Sequence, residues 1–317
     1  MFEKKRLIII DSNSIIHRAY HALPPLTTKK GELVNAVYGF LLVFLKAIRE
    51  FQPDYIAATF DFPAPTFRHQ EFKEYKATRP KAPDELYNQI PKVKEILKSF
   101  NVPIFEKEGF EADDLIGTIS RLAPKKSRTR AKLGTGLTPY RNEVSGTGQV
   151  IPEIETIILS GDLDTLQLIN RYTKVYTLKK GVKDTILYDE KAVKERYGLL
   201  PEQLVDFKAL KGDPSDNIPG VPGVGEKTAI KLIKEFGSLE NLYSALTGLN
   251  QPLRTKLEEY KDQAFFSKNL AKINQNVEID FDFKKGEWKN YDREKVKKIL
   301  KDLEFFSLIA RLPTPEA

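Results

Sequence analysis

The chain has 317 residues, 41% hydrophobic and 30% charged, which suits a globular protein with ample core rather than a disordered one. Lys and Arg outnumber Asp and Glu by 51 to 44, and the net charge of +7 favours a polyanionic partner. With no cysteine and only three scattered histidines, His17, His21 and His69, disulfides, thiolate metal sites and zinc sites are excluded, and the histidines read as structural. The opening MFEKKRLIIID is too short for a signal peptide, and no run reaches the roughly 18 apolar residues of a spanning helix. A cytoplasmic location with no membrane partner is expected.

In chain order, Leu7 to Ile10 is a continuous apolar run of the kind found in a strand buried on both faces, and it ends at Asp11. Helical spacing over Asn35 to Glu50 is followed by a second buried strand, Tyr55 to Phe60, ending at Asp61. A helix through Ile90, Val93, Ile96, Leu97 and Phe100 leads to a short strand, Val102 to Phe105. Glu111, Asp113 and Asp114 then open another helix. Thr156 to Leu159 is strand-like and ends in Ser160-Gly161-Asp162-Leu163-Asp164, with one more strand at Val175 to Leu178. From Asp189 the pattern turns helical through Leu246, again in Pro252 to Ile273, and finally in Asn290 to Ala310, before a linker or frayed tail at Leu312 to Ala317.

Strands alternating with helices give an α/β class with a mostly parallel central sheet flanked by helices. Ligands of such sheets bind at the carboxyl ends of the strands. There the chain repeatedly places acid: Asp11, Asp61, the Glu111–Asp113–Asp114 group and the Asp162–Asp164 pair, with Asp213 and Asp216 added from outside the sheet. A single Asp after a strand is as a rule a helix cap or turn residue, but five such groups at successive strand and loop ends point to one shared site. Crowded carboxylates repel unless cations lie among them. Oxygen-only ligands suit Mg²⁺, with Mn²⁺ as a substitute, and two such ions can drive an in-line displacement at a phosphodiester.

Three further stretches carry binding character. Phe62 to Leu86 interleaves Arg68, Lys73, Lys76, Arg79 and Lys81 with Phe67, Phe72 and Tyr75, which reads either as a solvated helix face or as a cover for single-stranded nucleic acid. Ala123 to Pro152 is a basic, glycine-containing loop with little periodicity. The turn Gly220-Val221-Pro222-Gly223-Val224-Gly225, followed by Lys227 and Thr228, places backbone N–H groups at a helix mouth, where phosphate oxygens bind well. It reads as a helix–hairpin–helix-like element gripping duplex backbone without reading sequence.

At LPPLTT (Leu23–Thr28), AVYGF (Ala36–Phe40), FDFPAPTFRH (Phe60–His69), EYKATRP (Glu74–Pro80), GFEADDLIG (Gly109–Gly117), SGDLDTLQL (Ser160–Leu168) and KGDPSDNIPGVPGVGEKTA (Lys211–Ala229) the chain resembles the 5′-nuclease domain of bacterial DNA polymerase I, within the flap endonuclease superfamily. The similarity runs from about Arg6 to Pro313, apart from Ala123–Pro152. It implies a PIN-like 5′-nuclease fold in three parts. Residues 1–190 would form the catalytic core, with a basic arch at 62–86 and a flexible basic loop at 123–152; residues 191–290 a helical duplex-binding region; and residues 291–317 a C-terminal helix and tail. Asp11, Asp61, Glu111, Asp113 and Asp114 would serve one metal ion, by direct or water-mediated contacts, and Asp162, Asp164, Asp213 and Asp216 a second. Lys76 would position or polarise the scissile phosphate, and Tyr75, Arg79 and Arg68 would lie along the path of the 5′ strand. Gly220, Gly223, Gly225, Lys227 and Thr228 would hold the downstream duplex, with a K⁺ ion on backbone carbonyls. Ser12, Leu163 and Thr165 depart from the usual residues but leave the carboxylates in place.

The function so implied is a structure-dependent 5′ nuclease of DNA with 5′ flaps, nicks or RNA primers, working as a monomer coupled to a DNA polymerase in replication and repair. Cleavage would give a 5′-phosphate and a 3′-hydroxyl. The chain ends where polymerase-I proteins begin the linker to their further domains, so it reads as a stand-alone nuclease or an excised domain. The alternatives are a non-catalytic branched-DNA binder of the same fold and a ribonuclease of the related, shorter PIN-like type.

Overall fold

The computed structural model describes residues 5–123, 153–288 and 291–314; of the basic loop expected at 123–152, all but Ala123 lies outside them. Five strands run parallel: β1 (Lys5–Asp11), β2 (Tyr55–Thr59), β3 (Ile104–Phe105), β4 (Ile154–Ser160) and β5 (Thr173–Lys180). A sixth, β6 (Asp184–Tyr188), folds back antiparallel on β5 to close the order β3-β2-β1-β4-β5-β6. Sequence reading missed this last strand because DTILY sits half-exposed at the sheet edge and has no continuous apolar run.

Alternation along β1 divides the core. Ile8 and Ile10 face one side, with α1 (Ser12–Ala22), α2 (Asn35–Phe51) and α5 (Ile90–Ser99). Leu7 and Ile9 face the other, with α6 (Ala112–Leu122) and the helices after the sheet. β1 is the hinge line of the fold: it pairs Ile10 with Ala58 on one side and with Leu159 on the other, which brings Asp11 level with the ends of β2 and β4.

The stretch at 62–86 is neither a solvated helix face nor an open cover. It forms two single-turn helices, α3 (Phe67–Glu71) and α4 (Asp84–Tyr87), joined by turns that lie across the carboxyl ends of the strands. After the sheet come α7 (Glu190–Tyr197), α8 (Leu204–Lys211), α9 (Glu226–Phe236) and α10 (Leu239–Ser244). The expected helical stretch from Pro252 breaks at Tyr260 into α11 (Gln251–Glu259) and α12 (Lys261–Ala271). The last helices, α13 (Arg293–Asp302) and α14 (Phe306–Ile309), return to the first face and bury Val296, Leu300 and Leu308 beside α5. Among the described residues no helix is long and apolar enough to cross a membrane.

Candidate active site

The acids at the strand ends are held in position by hydrogen bonds to neighbouring helix starts and turns. Asp11 ends β1 and accepts a hydrogen bond from the Ser14 N–H at 3.2 Å, which caps α1. Its second oxygen accepts one from the Ser160 hydroxyl at 2.6 Å. Asp61, two residues past β2, accepts from the Ala112 N–H at the start of α6 at 2.8 Å. The Asp162 N–H donates to Ser160 Oγ and the Asp164 N–H to Asp162 Oδ1, both at 2.9 Å. Ser160 is thus a buried elbow joining Asp11 to Asp162.

These groups line a cleft of about 730 Å³ that includes Asp11, Asp61, Glu111, Asp113 and Asp162 together with Lys76 and Arg79. Asp164 and Asp216 join Asp113 and Asp162 in a small adjoining recess. Burial pushes the Asp113 carboxyl well above its ordinary range, and the charges of Asp11, Asp162 and Asp164 add to the shift. Burial and Asp162 raise Asp164 to about 6. Glu111 goes the other way: burial opposes its charge, but Lys76 and Arg68 outweigh it and hold its carboxyl below the ordinary value.

Cations stand among the acids. Lys76 Nζ lies 2.7 Å from Glu111 Oε1 and 4.0 Å from Asp216. Arg79 pairs with Asp216 and donates to the Ser215 carbonyl. Lys208 on α8, which sequence reading missed, bridges Asp164 and Asp213, 2.7 Å from the latter. Burial disfavours the Asp213 charge, yet Lys208 and Ser215 together lower its carboxyl to about 2. Lys208 carries no local sequence mark, although its place five residues before Asp213, on a helix whose other face is apolar, puts it at the mouth of the acid group. Among the described residues no three acids are arranged to hold an ion directly. Ammonium and guanidinium groups stand between them, and eight carboxylates against these three cations leave a strong negative excess. A hard, oxygen-only donor set with stand-in cations fits divalent ions of the Mg²⁺ type.

Four expected site residues are placed differently. Asp114 is fully buried and turned away from the cleft. Its oxygens accept from both Arg68 η-nitrogens at 2.8 Å and from the backbone N–H groups of Glu111 and Asn274. The pair is structural, so Asp114 has no lone pair turned to an ion. Arg68, 2% exposed, also donates to the carbonyls of Leu270 and Lys272 and cannot line the path of a DNA strand. Tyr75, 3% exposed, directs its hydroxyl to Glu111 and Asp216 from beneath. Gly220 is buried, its N–H donating to Ser267 Oγ at 3.1 Å. At φ +63° it occupies left-handed space, and a Cβ there would collide with Gly212, so its role is to fold the hairpin.

The hairpin itself is as expected. α8 and α9 flank it, Gly223 is exposed at φ +76°, and Gly225 is the exposed N-cap of α9. Lys227 and Thr228 line a notch with Gly223, Lys231 and Lys256. His17, read as structural, lines the main cleft, its pKa lowered by burial first and by His21 second.

Two family models cover most of this architecture. One, "5'-3' exonuclease, N-terminal resolvase-like domain", matches residues 6–136, and the other, "5'-3' exonuclease, C-terminal SAM fold", matches residues 199–294. The chain belongs to the 5′–3′ exonuclease family. The chain is 42% identical over 313 residues to DNA polymerase I of Bacillus subtilis, with 98% of it aligned, and 36% identical over 311 residues to that of Mycobacterium tuberculosis. It spans about one third of the length of these relatives, 33% and 32% respectively. Two solved structures share its fold at 18% identity. The T5 5′-exonuclease with bound zinc has a TM-score of 0.64, over 96% of this chain and 100% of that one. The catalytic core of Rad2 in complex with DNA substrate has 0.58, over 98% and 93%.

Proposed function

We propose that this exonuclease is a structure-dependent 5′ nuclease that hydrolyses DNA at 5′ flaps and nicks, using two divalent ions of the Mg²⁺ type. The observation that carries the reading is the convergence of acids from four strand ends and the Asp213–Asp216 loop on one cleft, with Lys76, Arg79 and Lys208 among them. Metal ions in the T5 crystals and DNA in the Rad2 complexes support it by analogy of fold.

Asp11, Asp61, Glu111 and Asp113 would hold one ion, and Asp162, Asp164, Asp213 and Asp216 the other. When bound, such ions activate water and offset charge on the scissile phosphate and its leaving oxygen. The remaining steps belong to the chain. Ser160 and Ser14 fix the rotamer of Asp11 before substrate arrives. The Lys76 ammonium, beside Glu111 in the cleft, is positioned to turn to a phosphate oxygen once Glu111 is engaged elsewhere. Arg79 leaves Asp216 in the same way and meets the 5′ strand. Backbone N–H groups at Gly223 and Gly225, with Lys227 and Thr228, hold the duplex, and a K⁺ ion on the hairpin carbonyls belongs to the same proposal. These contacts go to backbone rather than bases, so sequence preference is weak. Primer removal as a monomer beside a polymerase is the setting proposed from the DNA polymerase I relatives.

The test is a labelled 5′-flap duplex incubated with Mg²⁺ and either wild-type protein or Asp162→Asn. Wild type should release a flap product with a 3′-hydroxyl, and the variant should be slower by at least two orders of magnitude. Intact substrate with wild type would leave the branched-DNA binder as the reading. Equal cutting by both would remove Asp162 from the chemistry.

A further inference from the structure

The cleft runs in strand order. Glu111 and Lys76 lie at the β2–β3 end, Asp11 and Asp162 in the middle, and Thr177, Leu178, Lys179, Ile186, Tyr188 and Arg196 at the β5–β6 edge. The acids occupy the first two parts. The third is built differently, because among the described residues that line it there is no carboxylate. From β4 to β6 is two strand spacings, about 10 Å, so this arm lies one or two nucleotides beyond the acids.

Its cations are displayed on a firm base. Arg196, exposed in the last turn of α7, sits over the rings of Tyr188 and Tyr197 at 5.6 and 5.2 Å and donates to the Tyr188 hydroxyl. Tyr188 is itself 4% exposed, in register with Val175 of β5. A guanidinium resting against aromatic rings on one side can still offer N–H groups on its solvent side to a planar or tetrahedral oxyanion. Lys179 is exposed near the end of β5, at a register shift between Leu178 and Lys180. Arg18 of α1 braces the same edge by donating to the Leu178 carbonyl at 2.6 Å. Beyond α7, Lys234 of α9 adds a cation that lies against Gly198 at the α7 terminus.

We infer that Arg196 and Lys179 form a phosphate-binding arm for the cleaved strand on the 3′ side of the scissile bond. The inference rests on the nuclease reading above and adds a direction to it. Lys76, beside Glu111, stands at the opposite end of the cleft, where that reading admits the free 5′ end. A strand entering there and crossing the acids leaves along β5 and β6. Its 3′ portion is the duplexed portion, and α7 leads from this arm to α9, the helix that carries the duplex-gripping hairpin. The arm is therefore the joint between cutting and duplex holding. It contacts sugar–phosphate backbone and reads no base.

The experiment compares wild type, Lys179→Gln and the Arg196→Gln/Lys179→Gln double variant, binding a 5′-flap duplex in Ca²⁺ over a salt series. A second duplex carries neutral methylphosphonates at the first two positions 3′ of the cleavage site. The double variant should bind roughly tenfold more weakly, with a salt slope shallower by about two, and Lys179→Gln should lie between. Methylphosphonates should weaken wild type but leave the double variant nearly unchanged, while its single-turnover rate in Mg²⁺ at saturating DNA stays within a few-fold of wild type. Unchanged affinity and slope, or losses from variant and methylphosphonate that simply add, would overturn the assignment while leaving the nuclease reading in place. A wild type that cuts no flap in Mg²⁺ would instead overturn the reading beneath it.

Discussion

The guanidinium of Arg79 rests on the carboxylate of Asp216, so a residue of the turn between α3 and α4 occupies a group proposed to bind metal. The same pair of segments is tied by the Lys76 N–H to the Asp216 carbonyl at 3.0 Å and by Asn217 Nδ2 to the Glu74 carbonyl at 2.8 Å. The turn between α3 and α4 is latched onto the acid loop, and ion binding must compete with that latch. Arg79→Gln should therefore bind Mg²⁺ tighter by about fivefold, the worth of a partly exposed ion pair. It should still cleave flaps at least tenfold more slowly, because the cation is lost from the strand path. Titration calorimetry and a cleavage assay read the two effects separately, and a loss of Mg²⁺ affinity would contradict the latch.

Lys208 plays the same part for Asp164 and Asp213. Replacing it with methionine leaves both acids facing each other without a cation. Without metal the variant should lose about 1–2 kcal/mol, since breaking a half-buried pair costs less than the 3–5 kcal/mol of a fully buried one. Saturating Mg²⁺ should restore most of that loss. Thermal unfolding in EDTA and in Mg²⁺ gives the comparison.

The raised acids set a pH dependence. Asp164 titrates at about 6 in the folded protein, above its ordinary 3.8, and Asp11 and Asp113 are raised too. The folded protein thus binds more protons than the unfolded chain in this range, so metal-free stability should fall as pH rises from about 5 to 7. Glu111 and Asp213 are lowered, and their contribution is lost only at more acidic pH. Mg²⁺ must displace the protons, so its affinity should rise over the same interval. Melting curves at pH 5.5 and 7.5, with EDTA and with Mg²⁺, test both signs.

Asp114 separates a structural acid from a metal-binding one. Asp114→Ala leaves the buried Arg68 guanidinium without its partner and should cost about 3–5 kcal/mol. The folded fraction should bind Mg²⁺ within about twofold of wild type. Urea unfolding and calorimetry below the transition decide this, and a loss of affinity at unchanged stability would return Asp114 to the metal set.

Asp113 and Asp114 also show what sequence could reveal. Adjacent residues on a helix point about 100° apart, so one of them had to leave the cleft. Tyr75 and Lys76 are instead separated by a turn in which Lys76 takes φ +56°, which no local pattern announces. β1, β2 and β4 were legible because a strand buried on both faces is a continuous apolar run, and each ends in an acid or meets one within two residues, Asp11, Asp61 and Asp162. β6 was not, because an edge strand with half-exposed residues loses that mark. Arg68 read as a contact on the path of the 5′ strand and Lys208 carried no mark at all, because the burial of each depends on which helices meet around it. The hairpin after Asp216 was legible through its glycines, but only the packing of Ser267 shows that Gly220 faces inward.

The most direct measurement is a crystal of the exonuclease soaked in Mn²⁺, with anomalous differences recorded at the metal edge. The expected result is two peaks, one against Asp11, Asp61, Glu111 and Asp113 and one against Asp162, Asp164, Asp213 and Asp216, with Lys208 and Arg79 withdrawn from their acids. No peak in the cleft, or a single peak with Lys208 still bridging Asp164 and Asp213, would contradict a two-ion centre.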